Sequence, residues 1–104
     1  MAIKHLTFDD SATIAFGSIT AAYADLLALS DDCDLLFVYN TTNAPILLRI
    51  PSGANASKDI RFPASTSMAI DCRTNSKRLA KGIIQVKYAV GAPASGEVTV
   101  TAAR

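Results

Sequence analysis

The chain holds one histidine, His5, and two cysteines, Cys33 and Cys72. These residue types most often carry acid–base, nucleophilic or metal chemistry, and here their spacing supports none of it. A Ser-His-Asp arrangement needs an imidazole held by a buried acid, and His5 sits near the start of the sequence, ahead of the first turn signal. Cys33 and Cys72 lack Cys-x-x-Cys spacing, and one histidine does not complete a usual zinc set. Both read as buried thiols, unpaired in a reducing cytoplasm and serving as small apolar side chains. Asp31-Asp32-Cys33-Asp34 gathers three carboxylates. Hard cations want several oxygens, but the simpler reading of this cluster is a solvated turn before a strand. Gly53, Gly82, Gly91 and Gly96 are isolated and make no phosphate loop. The expectation is a non-enzyme without cofactor or metal.

One basic stretch stands out. Residues 73–81 hold Arg73, Lys77, Arg78 and Lys81. Such a cluster suits phosphate contacts, a solvated connection between strands, or a dock for an acidic partner. Nucleic-acid readout is the weakest of the three, because aromatic interleaving and a recognition helix are missing. Asn40-Thr41-Thr42 and Asn55-Ala56-Ser57 match the glycosylation pattern. No apolar stretch follows Lys4 as in a signal peptide, so the expected site of synthesis is the cytoplasm. The two Asn motifs then read as turn chemistry, with the Asn side chain bonding nearby backbone.

The elements that must position these residues follow from composition and periodicity. A length of 104 residues suits one domain, and a hydrophobic share of 50% rules out a disordered chain. Charged residues make up only 18%, below the roughly 25% of ordinary domains, which favours an oligomer or a larger assembly. No run approaches the roughly 20 apolar residues of a membrane span. The absence of tryptophan argues against a sugar-stacking platform. Net charge is +1, yet residues 1–34 hold one base and six acids while residues 35–104 hold nine bases and three acids. Such polarity points to charged partners or to self-complementary packing.

Apolar residues alternate with polar ones along Ile46, Leu48 and Ile50, along Ile60 and Phe62, and along Met68, Ile70 and Cys72. The same period runs through Ile84, Val86, Tyr88 and Val90, and through Val98, Val100 and Ala102. Residues 33–39 are almost continuously apolar, which suits a central strand covered on both faces. Residues 21–29 are open between helix and strand. Turn residues divide these runs at roughly 8–12-residue spacing, the pattern of a sandwich or barrel. The expected fold is all-β: a small antiparallel sandwich, jelly-roll or immunoglobulin-like, of seven or eight short strands. Residues 1–18 are expected as an N-terminal arm or edge strand and residues 19–104 as the sandwich. The expected core is Leu35, Phe37, Ile46, Leu48, Ile70, Ile84, Val86, Val98 and Val100.

The segment Cys33-Asp34-Leu35-Leu36-Phe37-Val38-Tyr39-Asn40-Thr41-Thr42-Asn43-Ala44-Pro45-Ile46 resembles a strand-turn-strand of small tailed-bacteriophage virion proteins. The resemblance extends over residues 19–104, through Ile60-Arg61-Phe62-Pro63-Ala64, Met68-Ala69-Ile70-Asp71, Gly82-Ile83-Ile84-Gln85-Val86-Lys87-Tyr88 and Ala92-Pro93-Ala94-Ser95-Gly96-Glu97-Val98. It implies a β-sandwich accessory protein of the virion, foremost a head decoration (cement) protein that stabilises the capsid shell. The other station it implies is the collar or tail, with a host-surface glycan or another tail protein as partner. The implied partner is the major capsid protein or another virion protein, without direct contact to nucleic acid or membrane. The implied assembly is a homo-oligomer, a trimer before others. The expected partner-binding residues are the apolar Ile3, Leu6 and Phe8, the acids Asp9 and Asp10, and the bases Arg73, Lys77, Arg78 and Lys81.

Overall fold

The computed structural model describes residues 8–30, 33–52, 55–71 and 82–103; for Phe8, Asp9, residues 51–52 and 55–58 and Asp71 it describes the backbone alone. Eight strands follow one another: β1 (Phe8–Ala15), β2 (Ala24–Ala28), β3 (Leu35–Asn40), β4 (Ile46–Ser52), β5 (Asn55–Phe62), β6 (Thr66–Asp71), β7 (Ile83–Tyr88) and β8 (Glu97–Ala103). The one helical element among the described residues is a short 3₁₀ turn, Phe16–Ser18.

The strands pair as a long hairpin folded on itself. β4 pairs with β5, β3 with β6, β2 with β7 and β1 with β8, all antiparallel. Folding the hairpin over then sets β3 beside β8 and β4 beside β7. The result is two four-stranded sheets, a first of order β1-β8-β3-β6 and a second of order β2-β7-β4-β5. This is the strand order of a jelly roll, which decides between the two sandwich topologies expected from the sequence.

Period-two alternation builds the core. Leu36 and Val38 of β3 and Val98, Val100 and Ala102 of β8 face Ile46, Leu48 and Ile50 of β4, Phe62 of β5, and Ile84 and Val86 of β7, all of them buried. Each of these side chains except the smaller Ala102 contributes roughly 1.5–3 kcal/mol by leaving water.

Two expectations change. β3 is a central strand, but its even residues enter the core: Leu36 lies opposite Ile70 and Ala102, and Val38 opposite Met68 and Val100. Leu35 and Phe37, expected in the core, stand half-buried on the outer face, because a two-layer sandwich leaves each sheet one outward side. The alternation through Val90 also outruns the strand. Beyond Tyr88 the chain leaves the ladder, with Tyr88 N–H donating to Thr20 O and Ala89 N–H to Pro45 O, and Val90 is 75% exposed. The Ala- and Leu-rich stretch, open between helix and strand in the sequence, forms β2, since pairing along β7 outweighs its helix propensity.

Every strand end falls at one of two poles. Residues 16–23, 41–45, 63–65 and 89–96 connect strands at one pole and contain no charged residue. The start of β1 and the end of β8 lie at the other pole, as do the flanks of residues 29–34, 53–54 and 72–82.

Candidate interaction surfaces

The uncharged pole is organised by Asn40 and Thr42, both buried. Asn40 ends β3, and its side-chain amide donates to Ala44 O at 3.2 Å and Pro63 O at 2.9 Å. Its Oδ1 accepts the Thr42 N–H at 3.0 Å. The Thr42 hydroxyl reaches both Asn40 Oδ1 and Ala44 O and gives its one proton to either. One side chain thus ties the β3–β4 connection to the β5–β6 turn, which is the Asn-turn chemistry read from the sequence. Next to it, Thr41 Oγ1 donates to Glu97 O at 3.0 Å and accepts Glu97 N–H at 3.1 Å. Gly96 has φ +86°, and a Cβ there would lie 2.8 Å from Thr42 Cα, so this close approach requires glycine.

The outer face of the second sheet is a charged lattice. Asp25, Gln85, Arg49 and Asp59 occupy one cross-strand row. Gln85 Nε2 donates to Asp25 Oδ1 at 2.8 Å, and Arg49 Nε donates to Asp59 Oδ1 at 3.1 Å. The ring of Tyr23, just before β2, lies beneath the Arg49 guanidinium, 3.9 Å from ring centroid to Cζ, with Lys87 Nζ at 5.4 Å. The Arg49 hydrogen bond, followed by the nearby Tyr23 hydroxyl, holds the Asp59 carboxyl below its ordinary range. Burial, and then Asp59, push the Tyr23 hydroxyl up. That hydroxyl oxygen is screened from solvent and makes no hydrogen bond of good geometry.

The outer face of the first sheet is different in kind. Its described side chains are Ser11, Thr13 and Ala15 of β1, Glu97, Thr99, Thr101 and Ala103 of β8, Leu35, Phe37 and Tyr39 of β3, and Ser67 and Ala69 of β6. Glu97 is the one charged group among them. Hydroxyls pair across the strands, Ser11 with Thr101 at 3.0 Å and Thr13 with Thr99 at 2.9 Å. Tyr39 is 44% exposed. This surface, charged only at Glu97 among its described side chains, continues past Ala15 and Tyr39 onto the uncharged pole, where Phe16 and Val90 are exposed.

Of the partner-binding residues expected from the sequence, Ile3, Leu6, Arg73, Lys77, Arg78 and Lys81 lie outside the described residues, as does His5. Phe8 and Asp9 begin β1. Asp10 is half-buried in β1 and accepts the Ser30 N–H at 3.0 Å and the Ser30 hydroxyl at 2.9 Å, so it ties β1 to the connection after β2. Asp34 and Cys33 are buried; Asp31, Asp32 and Cys72 lie outside the described residues. Among the described residues no three of His, Cys, Asp and Glu group as metal ligands, and no helix is long and apolar enough to cross a membrane. Reasoning from sequence missed the Tyr23–Arg49–Asp59 lattice and the uncharged face. The alternation of Asp59 and Arg61 with Ile60 and Phe62, and the placing of Arg49 between Leu48 and Ile50, carried a trace of the first.

No protein-family model matches the chain, and no curated protein matches its sequence. Among solved structures, a chain of the Bacillus endospore appendages, described as a family of disulfide-linked pili, superposes with a TM-score of 0.56 at 16% identity, over 98% of this chain and 89% of that one. Pseudomonas aeruginosa AlgX superposes with a TM-score of 0.55 at 7% identity, over 94% of this chain and 26% of AlgX. This chain therefore spans about a quarter of AlgX. Neither is a bacteriophage protein, and at these identities the likeness shows the fold alone.

Proposed function

We propose that the chain is a structural, non-catalytic subunit of a multi-copy protein assembly, and that the assembly is a tailed-bacteriophage particle on which it acts as a head decoration protein. The observation that carries the first part is the surface, charged among its described side chains only at Glu97, that runs from the outer face of the first sheet onto the adjoining pole. The charged groups of the described residues lie mostly on the second sheet and at the opposite pole. A near-neutral surface of hydroxyl, aromatic and small side chains loses little desolvation energy when covered, because few ions are stripped of water. The virion station rests on the sequence resemblance through residues 33–46. In that role each copy bridges neighbouring shell subunits, and small contacts repeated over the shell resist rupture.

The test is co-sedimentation with shells assembled from the major capsid protein of the same genome. The expected result is saturable binding and a higher shell disruption temperature. Protein that stays in the supernatant at every ratio overturns the virion role. A second reading, a fibre subunit, draws support from the near full-length superposition on a pilus chain. Filaments seen by electron microscopy of the purified protein, without shell binding, favour that reading.

A further inference from the structure

Edge strands display unpaired N–H and C=O groups, and proteins guard them with charge, bulges or short length. The second sheet follows this rule at both edges. β5 carries Lys58, Asp59 and Arg61, and β2 is five residues long with a bulge between Asp25 and Leu27. The first sheet does not. β6 reads Thr66-Ser67-Met68-Ala69-Ile70 before its terminal Asp71, without charge, proline or glycine and in unbroken register with β3. β1 is guarded at its start by Asp9, Asp10 and a bulge between Phe8 and Asp10, but Ser11-Ala12-Thr13-Ile14-Ala15 carries no charge.

The ladder shows which amides face outward. Phe16 N–H donates to Gly96 O, and Thr41 N–H donates to Glu97 O. Hydrogen-bonded and non-bonded pairs alternate in antiparallel ladders. Ser11, Thr13 and Ala15 therefore turn N–H and C=O away from β8, and Ser67 and Ala69 turn theirs away from β3. Both uncharged edges present outward donors and acceptors at small side chains.

We propose that copies of this chain pair head to tail, β6 of one against β1 of the next, so that the first sheet continues from copy to copy. The proposal rests on the reading of the chain as a multi-copy structural subunit and names its self-contact. Strands β1 and β3 run toward the uncharged pole, and β8 and β6 run away from it. A neighbour in the same orientation thus brings an antiparallel β1 to β6 without inversion. Level rows set Ser67 and Ala69 opposite Thr13 and Ser11 of the next copy. On the inner side of the edge Met68, 44% exposed, then meets Ala12 of the next copy.

The same register sets Asp71, the last residue of β6, level with Asp9 of the next copy, a like-charge row. Residues 72–81, which continue from β6, hold four bases and no acid. They follow Asp71 in sequence, and the end of β6 lies at the pole where β1 of the next copy begins. A two-fold pairing of β6 with β6 turns one copy over and brings no start of β1 to that end of β6. Head-to-tail contacts close into rings, a trimer among them, or continue as filaments.

Two blocked edges test the pairing. Met68→Lys places an inward charge on β6, and Thr13→Pro removes an outward N–H from β1 while sparing its backbone bonds to β8, at the loss of the Thr13–Thr99 hydroxyl pair. Thermal melts establish that each variant folds; Ser67→Pro and Ser11→Pro, also at outward amides, replace any that does not. Light scattering should show the wild type growing beyond its 10.9 kDa monomer with concentration, and each variant alone remaining a monomer. An equimolar mixture of the two variants should double in mass and stop, because each supplies the edge the other lacks. Association of the β1 variant alone at wild-type strength, or a mixture that stays monomeric, overturns the proposal. A wild type that is monomeric throughout yet still co-sediments with shells overturns the head-to-tail pairing and leaves the structural role standing.

Discussion

The two sheets of this jelly roll are alike inside and opposite outside. Inward, both present branched aliphatics: Leu36, Val38, Val98 and Val100 from the first, Ile46, Leu48, Ile84 and Val86 from the second. Outward, the second sheet carries the Asp25–Gln85–Arg49–Asp59 row, whereas the first carries hydroxyls, small side chains and Tyr39. The edges repeat the difference, charged or bulged in the second sheet and largely plain in the first. Core formation uses one face of each sheet equally, so the outer faces are where the chain distinguishes solvent from partner. On the proposed reading the second sheet stays wet and the first is covered.

The largest effects test the likeness inside. Leu36→Ala in the first sheet and Leu48→Ala in the second should each cost about 2–5 kcal/mol in chemical denaturation, since both side chains are fully buried. A tenfold difference between the two losses breaks the symmetry of the core. Asn40→Ala should cost about 2–3 kcal/mol, because the carbonyls of Ala44 and Pro63 and the Thr42 amide lose their shared partner. Urea melts check this, and an unchanged midpoint denies the hub its role.

Smaller effects test the contrast outside. Tyr39→Lys on the first sheet should change monomer stability by less than about 1 kcal/mol while weakening association in light scattering. On the second sheet, Tyr23→Phe should leave the melting temperature unchanged or slightly higher, because the lost hydroxyl makes no hydrogen bond of good geometry. The smallest effect belongs to Asp59→Asn. The Asp59 carboxyl is lowered from its ordinary 3.8 by the Arg49 hydrogen bond, so around that pH the folded state binds fewer protons than the unfolded state. Its contribution is complete above the ordinary value and is lost as pH falls through the folded value. Wild-type and Asp59→Asn melts should therefore differ slightly at neutral pH and converge as pH falls through the folded value. Divergence toward low pH contradicts the lattice.

The sandwich was legible wherever polar residues interrupt the apolar ones. Arg49 between Leu48 and Ile50, or Thr99 between Val98 and Val100, fixes which side of a strand is inward. Residues 35–39 are apolar at every position, so period two leaves no mark. Only pairing with β6 and β8 shows that Leu36 and Val38 are inside and Phe37 is not. β2 was obscured for a related reason: Ala and Leu prefer helix locally, and the unpaired edge of β7 decides otherwise. The Tyr23–Arg49–Asp59 lattice joins residues far apart in sequence, and no local pattern specifies that register. The plain edge at residues 66–70 was readable as an uncharged stretch, but its meaning appears only once β6 proves to be an edge.

The central claim is that the first sheet, and not the second, is the surface by which copies associate. Amide hydrogen exchange followed by mass spectrometry at low and high protein concentration tests it most directly. Exchange should slow with concentration in peptides covering residues 10–15 and 66–71, and stay constant in those covering β2 and β5. Concentration-independent exchange in both first-sheet edges, or protection confined to β2 and β5, contradicts the claim.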